Sequence, residues 1–364
     1  MQPRPQSSAC VAEGYAAAVD WYGPARKGDQ EKLAEWCSTV GPPIIEPAPA
    51  AYFARAQGAE ALTVVSWNVH GGSGDLFGLI ERELDLPCRD GQPAVGTSFE
   101  HFVLVLQEVY RRSSDVPRVG ARSTIPKQLK EEASPGERVD VVEVARRCGL
   151  SLFYVPSMRN GDREYEDGRE DRGNAILSTL PLSDPIAIEI PFEAQRRVAA
   201  ATTVHSVAGD SLRFVSVHLD VASSMLRVLR TGNSTRQRQG LGLLDALAEL
   251  EAARADPTGD CGLLYCYPEC PPGSPPRYHI ATLAAGDFNT WSARETVIKH
   301  YYRHFPQSPA WDGLPTRASY PTDFIFFRES AEGRVRLVEG SHRRLDDQHG
   351  SDHFARIARL EFPR

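Results

Sequence analysis

From residue 61 onward, short apolar runs alternate with polar punctuation: Leu62 to Trp67, Phe102 to Leu106, Leu152 to Val155, Ala175 to Ser178, Ala199 to Val204, Leu212 to Val217, Ile280 to Ala284, Phe324 to Phe327 and Ile357 to Phe362. Runs of this length, rich in β-branched and aromatic residues and bounded by Gly, Asn or Asp, predict buried strands. Helical spacing of apolar positions is confined to Gly74 to Leu84, Val139 to Cys148, Arg236 to Arg254 and Ser292 to His300. Many strands with few helices predict a mixed α/β sandwich instead of a strictly alternating parallel sheet. Two inserts, Arg111 to Arg138 and the Pro-, Gly- and Cys-rich Asp256 to Tyr278, are expected to be loops.

Residues 1–60 have a different texture. Polar, Pro-rich ends enclose Glu13 to Trp36, where Tyr15, Val19, Leu33 and Trp36 line one face of one or two helices. Gly41-Pro42-Pro43 and Glu46-Pro47-Ala48-Pro49 then predict a stiff linker. The expectation is an N-terminal extension over 1–60 and a main domain over 61–364.

Composition adds exclusions. Of 364 residues, 41% are hydrophobic and 24% charged, which supports a sizeable core. The 41 basic and 48 acidic side chains leave a net charge of −7, so no global basic field drives binding to nucleic acid or an anionic membrane. Phosphate binding must be local. No apolar stretch is long enough to span a bilayer, and Met1 to Gly14 lacks the apolar core of a signal peptide. The expected location is cytoplasmic, or exported or lipid-anchored if a segment upstream of Ser8-Ala9-Cys10 was trimmed. Seven cysteines are an odd number and leave the redox compartment open, and Cys261, Cys266 and Cys270 lack the paired spacing of common zinc sites. Oligomeric state is not legible.

The candidate chemistry lies where the apolar runs stop. Trp67-Asn68-Val69-His70, Leu106-Gln107-Glu108, Arg172-Gly173-Asn174, Val217-His218-Leu219-Asp220, Gly286-Asp287-Phe288-Asn289, Thr322-Asp323 and Ser351-Asp352-His353 all follow or precede a predicted strand. One such cluster is a turn; a whole series predicts convergence at one sheet edge. Carboxylates, asparagines and histidines without cysteine make an oxygen-rich environment suited to Mg2+ or Mn2+, and point to phosphoester hydrolysis by activated water.

In this order, Trp67-Asn68, Gln107-Glu108, Gly173-Asn174-Ala175-Ile176-Leu177-Ser178, His218-Leu219-Asp220, Gly286-Asp287-Phe288-Asn289, Asp323 and Ser351-Asp352-His353 resemble the endonuclease/exonuclease/phosphatase superfamily. The resemblance implies a four-layer α/β sandwich of two mixed β-sheets flanked by helices. It implies Glu108 as principal metal ligand, with Asn68 and Asp352 beside the ion. Asp287 would orient or deprotonate the attacking water, with Asn289 positioning water or phosphate, and His353, paired with Asp323, would contact the scissile phosphate. His218 stands where deoxyribonuclease-I-like and sphingomyelinase-like members keep a second histidine. Arg172 and Asn174 are further candidates for phosphate contact. Nucleic acid, lipid headgroup and small-molecule substrates all stay open, as does a catalytically inactive scaffold of the same fold that binds a phosphorylated partner. Arg111, Arg112, Arg118, Arg122, Lys127, Lys130, Arg159, Arg163, Arg169 and Arg172 are concentrated on two segments expected to border the site, and are the candidate cationic track.

Overall fold

The computed structural model describes residues 19–24, 26–48, 60–88, 100–117, 138–160, 169–206, 208–221, 235–254 and 280–362. In chain order the strands are β1 (Asp20–Tyr22), β2 (Ile44–Glu46), β3 (Ala61–Asn68), β4 (Phe102–Arg112), β5 (Ser151–Arg159), β6 (Glu170–Ser178), β7 (Ser183–Glu189), β8 (Val198–His205), β9 (Ser211–His218), β10 (Ala281–Asp287), β11 (Asp323–Arg328), β12 (Arg336–Leu337), β13 (Arg343–Arg344) and β14 (Arg356–Glu361). The helices are α1 (Lys27–Cys37), α2 (Leu76–Glu83), α3 (Val141–Cys148), α4 (Thr235–Arg254) and α5 (Thr296–His304). Every strand and helix predicted from the apolar runs is present, with ends shifted by a few residues. The ends of α3 follow from its sequence: the Asp140 carboxylate accepts from the backbone N–H groups of Val142 and Glu143, and Gly149 closes the helix at φ 67°.

Two mixed sheets form. One has the order β1-β7-β8-β9-β10-β11 and the other β12-β14-β3-β4-β6-β5-β2, with β13 on β14. Leu62, Val64, Val103, Val105, Ile176, Phe214, Leu283 and Ile325 pack between them. The outer face of the first sheet is covered by Leu243, Leu247 and Leu250 of α4 and Val297, Ile298 and Tyr301 of α5. The outer face of the second is covered by Leu76, Leu79 and Ile80 of α2 and Val141, Val144 and Ala145 of α3. Helix, sheet, sheet and helix make the four layers. Strands buried on both faces read as continuous apolar runs, which is why they were legible.

Two expectations need correcting. Residues 19–48 do not stand apart from the domain: β1 pairs in parallel with β7, and β2 pairs antiparallel with β5, so this segment adds an edge strand to each sheet. The proline-flanked stretch between α1 and β2 is packed, not a free linker. Gly41 donates its N–H to Asp171 at 2.8 Å, and the Pro42 carbonyl accepts from Arg111 at 2.7 Å. A Cβ on Gly41 would stand 2.4 Å from Nη2 of Arg111, a group already ion-paired to Asp171. Sequence texture missed this because short edge strands carry little periodicity and prolines are admitted at their ends.

The second correction concerns the insert after β4, since the strand runs on through Arg112. Arg111 is buried against Asp171, and Arg159 is buried in β5 with its guanidinium on the Thr39 carbonyl at 3.3 Å. Neither can form part of a solvent-facing cationic track. Arg118, Arg122, Lys127, Lys130 and Arg163, like Cys261, Cys266 and Cys270, lie outside the described residues. Cys88 and Cys148 form a disulfide that ties the chain after α2 to the end of α3, and Cys37 is also disulfide-bonded. No helix among the described residues is long and apolar enough to cross a membrane.

Candidate active site

Strand register brings the polar clusters together. Asn68 ends β3 opposite Gln107 of its parallel neighbour β4, and His218 ends β9 opposite Asp287 of its parallel neighbour β10. Asp287 in turn faces Asp323, the first residue of antiparallel β11. Thus the carboxyl ends of β3, β9 and β10, the Gln107-Glu108 stretch within β4 and the amino end of β11 lie at one edge of the sandwich. Asn174 and Ser216 join the two sheets there: the Asn174 amide donates to the carbonyls of Val198 and Ser216 at 2.9 and 3.1 Å, and the Ser216 hydroxyl donates to the Leu106 carbonyl at 2.7 Å. With its N–H groups so engaged, Asn174 acts as an inter-sheet clip in this structure, not a phosphate contact.

Glu108 projects from a bulge in β4, where the pairing with β6 shifts between Leu106 and Val109. Its own φ is 53°, and His70 and Asn289 also adopt left-handed backbone, at 51° and 52°. Non-glycine residues in that region cost energy and gather at functional sites. Arg172 of β6 donates to Glu108 at 3.1 Å. Burial alone would raise the Glu108 pKa, but the positive charge of Arg172 leads the influences that outweigh it and hold the carboxyl ionised well below its ordinary range.

Gly286 explains the glycine of the Gly-Asp-Phe-Asn segment. Its φ is 148°, and a Cβ there would meet the Val217 carbonyl oxygen at 1.9 Å. Only glycine lets β10 approach β9 this closely, which sets Asp287 beside His218. The Asp287 carboxylate accepts from Asn289 N–H at 2.7 Å and from the Asn68 amide at 3.0 Å. Burial pushes its pKa up to about 7, against the pull of His353 and with a further push from Asp323.

The two histidines are held in different charge states. Nδ1 of His353 lies 2.8 Å from Asp323, whose carboxylate also accepts from the Thr322 hydroxyl at 2.8 Å. Burial would lower His353, but Asp323 and Asp287 prevail and push it up to about 9, so it is a cation at neutral pH. His218 is the reverse case. Burial, reinforced by Arg197, holds it well below the ordinary histidine range. Arg197 meets His218 Nδ1 at 2.9 Å, and because a guanidinium can only donate, Nδ1 accepts and Nε2 carries the proton. That Nε2 faces Asp287 at 3.5 Å and Glu108 at 3.6 Å. Asp220 anchors Arg197 at 2.8 Å and is itself held by the N–H groups of Ala194 and Gln195.

Asp352 sits at the rim. Arg317 reaches its carboxylate at 2.6 Å, while His353 Nε2 and His70 Nδ1 each stand 3.8 Å away. Arg197 and Arg317 went unnoticed in the sequence, because neither belongs to a strand-end cluster and no spacing links them to His218 or Asp352.

The donor set suits a hard divalent cation. Glu108 is held ionised, the Asn68 amide N–H donates to it at 3.5 Å while the Asn68 carbonyl oxygen accepts from His70 N–H at 3.0 Å, and among the described residues gathered here oxygen-bearing side chains predominate and none is a cysteine. Among the described residues, Asp287, Asp323 and His353 also present ligand atoms within 4.8 Å of one another, although Asp323 Oδ2 and His353 Nδ1 are engaged with each other. A two-sheet α/β sandwich thus carries a paired His–Asp, a buried acid near neutrality and an ionised glutamate at one edge, groups suited to acid–base chemistry. Residues 65–353 match the Endonuclease/Exonuclease/phosphatase family, and the chain belongs to it.

Solved structures resemble the chain at low identity. An endonuclease/exonuclease/phosphatase from Beutenbergia cavernae DSM 12333 is 16% identical, with a TM-score of 0.50 over 83% of this chain and 72% of that one. The human Nocturnin catalytic domain with bound sulfate anion is 17% identical, with a TM-score of 0.49 over 84% and 96%. A humanized D. rerio TDP2 is 14% identical, with a TM-score of 0.42 over 83% and 99%. No curated protein matches the chain.

Proposed function

We propose that this protein is a divalent-metal-dependent phosphoesterase that hydrolyses its substrate by in-line attack of water. One observation carries the reading: Glu108 from the β4 bulge, Asp287 from the end of β10 and His353 from the loop before β14 converge on His218 or one another, at 3.6 Å from His218 to Glu108, 3.5 Å from His218 to Asp287 and 3.8 Å from His353 to Asp287.

Glu108, with Asn68 and Asp352 as the nearby oxygen donors, would hold Mg2+ or Mn2+, which supplies Lewis-acid neutralisation of phosphate charge. The rest is done by the chain. Asp287, near 7, takes the proton of the attacking water, and Asn289 fixes its carboxylate. His353, cationic and braced by Asp323, faces the charge that builds on the phosphoryl oxygens. His218 offers a neutral Nε2–H donor from the opposite side, held in that tautomer by Arg197 and Asp220. Arg172 adds a buried positive charge beside Glu108. The Cys88–Cys148 disulfide supports residence in an oxidising compartment over the cytosol.

The test is a panel of plasmid DNA, RNA, sphingomyelin, phosphoinositides and a chromogenic phosphodiester with Mg2+. We expect hydrolysis of at least one, abolished by chelator and reduced at least about 100-fold in Glu108→Gln, while the variant folds normally. Full activity in chelator would refute metal dependence. No hydrolysis across the panel would favour the inactive scaffold.

A further inference from the structure

Among the described residues, six large apolar side chains are exposed: Ile45, Val221, Trp291, Trp311, Leu314 and Tyr320. All but Ile45 belong to the segments that leave β9 and β10 or enter β11 at the catalytic edge. Three of them lie within four residues of a proposed catalytic residue along the chain. Val221 follows His218 on β9, Trp291 follows Asp287 and Asn289 on β10, and Tyr320 precedes Asp323 on β11. The β10–β11 pairing continues past the strand ends, with Phe288 N–H on the Thr322 carbonyl at 2.8 Å and the Thr290 hydroxyl on the Pro321 carbonyl at 2.6 Å. The backbones bearing Trp291 and Tyr320 therefore leave the sheet side by side. Asn289 also donates to the Leu219 carbonyl at 2.8 Å, which holds the Val221 segment against the same two.

We propose that Trp291 and Tyr320 form a stacking platform for a nucleobase attached to the scissile phosphate, so that the substrate class is nucleotide phosphodiesters. The proposal rests on the phosphoesterase reading. The Trp291 ring is immobilised: Arg236 lies over one face at 5.1 Å, Glu295 clamps that guanidinium at 2.8 and 2.9 Å, and the same glutamate accepts from Trp291 N–H at 2.7 Å. Arg236 is itself buried, so the 43% exposure of Trp291 falls on its other face and edge. Tyr320 is held by a tight turn in which its N–H meets the Arg317 carbonyl at 2.8 Å, and the Arg317 side chain reaches Asp352 beside His353. Three to four residues of chain separate each ring from Asp287 or Asp323 and span at most roughly 10–14 Å, within the reach of one nucleoside from its phosphate.

Rigid, half-covered rings suit a planar ligand. A membrane-inserting tip exposes its rings on all sides, and the net charge of −7 opposes an anionic bilayer. Every base has a π face that can stack on an aromatic side chain, and such stacking is a substantial part of base recognition.

Two esters with the same leaving group isolate the effect: the p-nitrophenyl ester of thymidine 5′-phosphate and methyl p-nitrophenyl phosphate, each with Mg2+. We expect the wild type to prefer the nucleotide ester in kcat/KM by about tenfold or more. Trp291→Leu and Tyr320→Leu should bring the ratio towards one, and Trp291→Phe should keep most of it. Equal rates on both esters, or a ratio untouched by both leucine variants, would overturn the platform. If neither ester is cleaved, the hydrolase reading stands or falls on the wider substrate panel, and quenching of tryptophan fluorescence by thymidine 5′-phosphate decides the platform alone. Quenching that disappears in Trp291→Leu supports it; none in the wild type overturns it. Co-sedimentation with phosphatidylcholine vesicles that is lost in Trp291→Leu would also overturn it, in favour of a lipid surface.

Discussion

Asp287 and His353 stand 3.8 Å apart and are tuned in the same upward direction for opposite reasons. Asp287 rises because burial penalises its charge, and His353 rises because Asp323 and Asp287 favour its charge over the cost of burial. The Asp287 shift has a cost in stability with a defined sign. Folded, it titrates near 7 and unfolded near 3.8, so the fold keeps a proton that the unfolded chain releases, and stability falls as pH rises between those values. Between about pH 4 and 6, His353 is protonated in both states and drops out of the balance. In chelator, the stability advantage of Asp287→Asn over wild type should therefore grow from pH 4 to pH 6, on the order of 1–2 kcal/mol or several degrees in Tm. A difference that stays flat or shrinks over that range, followed by thermal unfolding at each pH, would mean that Asp287 ionises freely.

Single elements hold this chemistry through backbone features more than through side chains. The β4 bulge turns Glu108 towards the site, and glycine at 286 lets β10 lie against the Val217 carbonyl. Gly286→Ala forces the two strands apart, since both clashing groups belong to rigid backbone, and it should cost at least about 2 kcal/mol. Activity should fall with it, because Asp287 and His218 separate. Urea unfolding alongside turnover checks this, and an alanine variant with unchanged midpoint and rate would show that the β9–β10 approach is not needed. The helices were predictable from their apolar spacing and the Asp140 and Gly149 caps. The bulge was not, since Leu106-Gln107-Glu108-Val109 carries no sign of the extra residue.

At the scale of the whole molecule, the N-terminal segment is part of both sheets. Trp21, Leu33 and Trp36 are buried, and Arg238 of α4 reaches Asp29 of α1 at 3.2 Å. Removing residues 1–49 would expose the edges of β5 and β7 and the surfaces those three side chains cover. At about 1.5–3 kcal/mol for each large apolar side chain, the loss is on the order of 5 kcal/mol. We expect a shortened chain beginning at Ala50 to aggregate or to melt well below the full chain. Light scattering and thermal unfolding test this, and an equally stable truncated protein would restore the independent extension.

The sequence alone marked nine of the strands between 61 and 362, though not β7, β12 or β13, and the order of the polar clusters that carry the proposed site residues Asn68, Glu108, His218, Asp287, Asn289, Asp323 and His353. These were legible because strands buried on both faces are largely apolar, so a cluster of polar residues stands out where an apolar run stops. It could not show which partner each polar residue takes. Asn174 had the same appearance as the site residues yet clips the two sheets together, while Arg197, with no motif around it, fixes the tautomer of His218. Arg111 read as a surface cation and is an interior ion pair with Asp171, which stands 60 residues away in the chain. Hydrophobic burial is a property of a residue and its immediate neighbours, so it is written in local pattern. Electrostatic pairing depends on distances across the fold, and only the packing of β4 on β6, of β9 on β10 and of one sheet on the other sets them.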